Sequence, residues 1–113
     1  VVNKFLPRVQ QRGAEIIKAR GASSASSAAR AACETVRAVE HPTRSGDVFN
    51  AAIMSDGAYD IPAGIFSGFP LISDGAGNVE IVRDYVLSDF AKNGLKKTAD
   101  ELLEEKNLVK DLI

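Results

Sequence analysis

The chain has no tryptophan, one cysteine, one methionine and one histidine among its 113 residues. With a single thiol, Cys33, no internal disulfide can form, and a reducing compartment suits such a chain. Cys33 stands among alanines at helical spacing, so we expect it to pack rather than react. His41 is followed by proline in a polar stretch, which suits a solvated loop histidine better than a general base. No apolar run approaches the about 20 residues needed to span a bilayer, and the first ten residues lack a signal-peptide core. Lysine and arginine number 14 against 15 acidic residues, for a net charge of −1. That balance points away from nucleic acid and from an acidic substrate, and the lack of an apolar run from a membrane. The chain opens on Val1 rather than on methionine, and we expect it to come from within a longer protein.

Signatures of chemistry are also scarce. Gly75-Ala76-Gly77 opens a G-x-G pattern, but Glu80 stands where the third glycine of a dinucleotide fingerprint belongs. There is no phosphate-binding loop and no metal-ligand spacing. No serine has the glycine-flanked context of a hydrolase nucleophile. Asp56, Asp60 and Asp74 flank turns, where a short carboxylate bonds to nearby backbone.

What is there begins with residues 9–39, which read as two amphipathic helices folded back at Gly21. Leu6, Val9, Gly13, Ile16 and Ile17 fall three and four apart and share one face. Pro7 suits the first turn. Lys18 and Arg20 complement the dipole of the last turn, and Gly21 stands where a left-handed cap would. Ser23 or Ser24 is placed to cap the second helix. That helix carries Ala25, Ala28, Ala29, Ala32, Val36 and Val39 on one side, and Pro42 ends it.

From Asp47 the period changes. Residues 48–54 are apolar on both sides around Asn50, which predicts a strand buried on both faces. Residues 64–72 resume a strand pattern, with Gly68 and Pro70 predicting a bulge or an edge. A turn at residues 74–78 and alternation over 79–83 complete an antiparallel hairpin. Ser88 can cap a final helix with Leu95, Thr98, Leu102 and Leu103 inward, its first turns weakened by Asn93-Gly94. The fold class is α+β: two packed N-terminal helices, antiparallel strands with a hairpin, and a long C-terminal helix, in one domain over residues 1–113.

Three blocks carry a resemblance. VQQRGAEIIKAR with the following SSASSAARAAC is similar to the opening helices of the C-terminal domain of malate dehydrogenases, the cytosolic type above all. SDGAYDIPAGIFSGFP resembles the segment SDG-x-Y-x-(hydrophobic)-P-(small)-G of that family, and LKKTADELLEEKNLV resembles its last helix. The resemblance implies the substrate and dimerisation domain of a larger two-domain, cytoplasmic oxidoreductase. It would interconvert malate and oxaloacetate with NAD, in the carboxylic acid metabolism of the tricarboxylic acid cycle. NAD would be held mainly by an N-terminal Rossmann domain ahead of Val1. The catalytic histidine, its aspartate and the substrate-clamping arginines would lie there too, so no catalytic residue is expected in this chain. Ser23 matches a position lining the substrate and nicotinamide pocket, with Ser24 beside it. The helix over residues 24–39 resembles the family's dimer-contact helix and implies a homodimer. The stretch GASSASSAAR is smaller than the family's usual pattern, so another 2-hydroxy acid in place of malate is the alternative substrate. A free-standing helical interaction module is the alternative outside enzymology.

Overall fold

The computed structural model describes residues 3–23 and 25–112. The chain divides into two compact units, Val1–Glu34 and Thr35–Ile113. The first holds helix α1, Phe5–Arg20, and the first nine residues of helix α2, Ser26–Glu40, whose remainder from Thr35 belongs to the second unit. Gly21 closes α1 as expected: at φ +71° its N–H donates to the Ile17 carbonyl at 2.8 Å. A residue with a Cβ takes that conformation at a cost, and glycine does not. No described residue of α1 or α2 is fully buried. Cys33, expected to pack, is exposed.

The second unit is built on three antiparallel strands in the order β1-β2-β3: Phe49–Met54, Phe66–Ser73 and Val79–Ile81. Helix α3, Asp89–Val109, follows. Phe69 and Leu71 on β2 are wholly buried, and Ala58, Ile61, Ile65 and Ala99 join them in the core. Phe49, Ala51 and Ile53 of β1 and Leu95, Leu102 and Leu103 of α3 pack around that cluster. Emptying the Phe69 site would cost about 3–5 kcal/mol. Ser88 caps α3 as expected, its Oγ accepting from the Ala91 N–H at 3.3 Å. The helix runs unbroken through Asn93-Gly94.

Three further expectations, all in the second unit, are corrected. Strand β1 is not buried on both faces: Asn50, Ala52 and Met54 are exposed while their neighbours are half-buried. On α3 the inward small residue is Ala99, and Thr98 is exposed.

The third concerns β2, which is neither bulged nor at an edge. It is the middle strand, with an unbroken register from Phe49↔Leu71 to Met54↔Phe66. Pro70 is tolerated there for a local reason. Its carbonyl accepts from the Val82 N–H at 2.9 Å, so Pro70 and Val82 form a hydrogen-bonded pair. In such a pair the missing proline N–H would have served the Val82 carbonyl. The Tyr59 hydroxyl donates to that carbonyl instead. The β2–β3 ladder therefore stops at Ile81 without leaving an orphaned acceptor.

The last turn of α2 is tied to the hairpin. Ser73 Oγ donates to the Val39 carbonyl at 2.7 Å, and the Ser73 N–H donates to Thr43 Oγ1 at 2.8 Å. Pro42 bridges Asp74, and Gly75 passes so close that a Cβ there would lie 2.4 Å from Pro42 Cδ.

Candidate functional site

Ser23 lies exposed between α1 and α2. It does not cap α2, because the Ala25 carbonyl already accepts from the Ala29 N–H at 2.8 Å and so occupies the cap position. Its hydroxyl is therefore not committed to the helix by capping. Ser24 lies outside the described residues. In the same unit Phe5, Arg8, Val9 and Arg12 line a shallow hollow of about 280 Å³. Arg12 spends part of its charge on Glu15 at 3.1 Å, and Arg30 on Glu34 at 2.7 Å.

The segment SDGAYD explains itself residue by residue. Ser55 is buried: its Oγ donates to the Ile61 carbonyl at 2.8 Å and accepts from the Gly57 N–H at 3.1 Å. Asp56 accepts from the Ala58 N–H at 3.1 Å and pairs with Arg83. The Arg83 hydrogen bond holds its carboxyl below the usual carboxylate range. Gly57, at φ +101°, makes the turn. Tyr59 serves Val82 as described. The motif thus fastens its own loop and the residues just after β3, and it supplies no acid–base pair.

His41 Nδ1 donates to the Arg37 carbonyl at 2.9 Å, closing the end of α2. Gly75-Ala76-Gly77 lies in the β2–β3 turn, where Asp74 Oδ1 accepts from the Ala76 and Asn78 N–H groups at 2.7 and 3.2 Å. Neither feature is set for chemistry. Among the described residues no group of three or more His, Cys, Asp or Glu side chains could hold a metal ion. No described helix is long and apolar enough to cross a membrane.

A larger cavity, of about 500 Å³, lies in the second unit between the 3-10 turn Ala58–Asp60, residues 85–87 and the first half of α3. Asp60, expected only to flank a turn, is among its lining residues. The available signal was Lys92 and Lys96, four apart and therefore on one helical face.

Helices α1 and α2, a three-stranded antiparallel sheet and the long helix α3 place the chain in the α+β class. Residues 1–113 match the family described as lactate/malate dehydrogenase, alpha/beta C-terminal domain. Malate dehydrogenase of Magnetococcus marinus is 50% identical over 111 residues, which is 98% of this chain and 34% of that protein. The crystal structure of malate dehydrogenase from Naegleria fowleri superposes with a TM-score of 0.88 at 39% identity, covering 99% of this chain and 34% of that one. Trichomonas vaginalis lactate dehydrogenase in complex with NADH and oxamate gives a TM-score of 0.81 at 26% identity, over 95% of this chain and 33% of that one. The chain belongs to the lactate/malate dehydrogenase family. It spans about a third of the length of the relatives it matches.

Proposed function

We propose that the chain is the C-terminal domain of an NAD-dependent malate dehydrogenase, completed by a Rossmann domain that carries the cofactor and the acid–base residues. The carrying observation is 50% identity to an enzyme of that name across 98% of this chain but only 34% of the enzyme. NAD as the cofactor is supported by the likeness to a relative whose structure holds NADH. In the reaction a hydride leaves the malate C2 for nicotinamide while a histidine outside this chain takes the hydroxyl proton. The part of this chain is to wall the substrate pocket, with Ser23 and Ser24 at the wall. The exposed hydroxyl of Ser23 suits that role. Two copies associate through residues 24–39, and the enzyme works in the cytoplasm, a setting that the free thiol of Cys33 supports. The likeness to a lactate dehydrogenase supports the second reading, a related 2-hydroxy acid as substrate.

The test joins this chain to the N-terminal part of the Magnetococcus marinus enzyme and follows NADH formation from malate. We expect turnover from the fusion and none from the 113-residue chain alone. Ser23→Leu should lower kcat/KM by roughly a hundredfold, because a bulky wall displaces substrate from its reacting geometry. His41→Ala should leave it within about twofold, having only its bond to Arg37 to lose. A folded, NADH-binding fusion without turnover would overturn the reading. Equal losses from both variants would overturn the place given to Ser23.

A further inference from the structure

The cavity of about 500 Å³ in the second unit has the size of a small-molecule site. Its floor is apolar: Ile61 and Ala99 are 2% and 4% exposed. Tyr85, half exposed, stands at one wall. Four charged residues line it, two of each sign: Lys92 and Lys96 on α3, Asp100 one turn further on, and Asp60 from the loop. None of the four side chains has a hydrogen bond or ion pair among the described residues. Elsewhere on the same helix Lys97 pairs with Glu101 at 3.9 Å, and Lys106 donates to the Gly64 carbonyl at 2.9 Å. Lys92 and Lys96 are like charges one turn apart, an arrangement that disfavours the helix unless an anion joins them. Asp60 is also held in strain. It and Tyr59 are the two non-glycine residues with positive φ among those described, at +60° and +55°. Such strain persists where the surroundings over-determine it, and ligand clamps are one such setting.

We infer that this cavity binds a free α-amino acid with an apolar or aromatic side chain. The ligand carboxylate meets Lys92 and Lys96, its ammonium meets Asp60 and Asp100, and its side chain covers Ile61 and Ala99 beside Tyr85. A simple anion would satisfy the lysines and be repelled by the aspartates. A peptide end carries only one of the two charges. A free amino acid carries both on one carbon. The site is independent of the dehydrogenase reading and stands or falls without it.

Isothermal titration of the full chain with L-phenylalanine and with L-leucine tests it. We expect saturable binding of one molecule per chain by at least one of them. Glycine, 3-phenylpropanoate and phenethylamine each lack one of the three features and should bind at least about tenfold more weakly. Lys92→Ala combined with Lys96→Ala should abolish binding while circular dichroism stays unchanged, since neither side chain holds the fold. No saturable heat with either amino acid on a folded chain would overturn the inference. So would 3-phenylpropanoate binding as tightly as phenylalanine, or full affinity in the doubly substituted chain.

Discussion

Two single residues carry consequences out of proportion to their size. Gly75 combines φ +79° with three Pro42 atoms inside 3 Å of a notional Cβ. Gly75→Ala should cost about 3 kcal/mol in urea denaturation, through strain and displacement of the Pro42 bridge. A cost under about 0.5 kcal/mol would show that the hairpin yields there. Tyr59→Phe deprives the Val82 carbonyl of its donor and should cost about 1 kcal/mol. In a Pro70→Ala background a strand N–H faces the same carbonyl, and the cost should fall by about half or more. A double-mutant cycle measures the difference, and equal costs in both backgrounds would dissociate Tyr59 from Pro70. Proline and tyrosine were both visible in the sequence, but their connection was not. Ten residues lie between them, and only the register shows that one replaces what the other lacks.

At the scale of elements, the caps of α1 and α3 were legible, while the cap expected of Ser23 on α2 was not realised. Gly21 and Ser88 obey local rules that need no knowledge of neighbours. The faces of β1 were not legible. Ala52 and Met54 look as apolar as Ala51 and Ile53, and which side is covered depends on where β2 and α3 lie. The choice between Thr98 and Ala99 is a rotation of one residue, about 100°, which periodicity resolves poorly when half the positions are small or polar. Ser23 as a pocket residue came from resemblance alone, since an isolated serine carries no pattern.

The β2–β3 turn adds a dependence on pH. Asn78 donating to Asp74, with the Ala76 N–H, lowers the Asp74 pKa in the folded chain, and Arg83 does the same for Asp56. Lowered folded-state values mean that both carboxylates contribute stability above their ordinary range. They lose it as the pH falls through the lowered values. Urea midpoints measured below about pH 5 should therefore fall less steeply in Asp74→Asn than in the wild type. A steeper fall would show that Asp74 is not held in its charged form.

At the scale of the whole molecule, helices α1 and α2 carry an exposed apolar surface. Ala28, Ala29 and Ala32 are exposed along α2, with Ala25 at its start exposed too and Val36 62% exposed on the same side. On α1, Val9 and Ile17 are 54% and 49% exposed. At about 25 cal/mol per Å² of apolar area, covering several hundred Å² is strongly favoured. We expect the chain to sediment as an assembly at tens of micromolar and Ala29→Glu to shift it toward monomer with its circular dichroism unchanged. A folded wild-type monomer would place the contact elsewhere.

The exchange between Pro70 and Tyr59 also bears on how such a domain can drift over generations. A lineage that replaces the proline first gains a second donor for Val82, after which the tyrosine is free to vary. One that replaces the tyrosine first must pass through a less stable ancestor. The two orders of substitution reach the same pair of residues by unequal roads, so descendants that have lost the tyrosine alone should be rarer than those that have lost the proline alone.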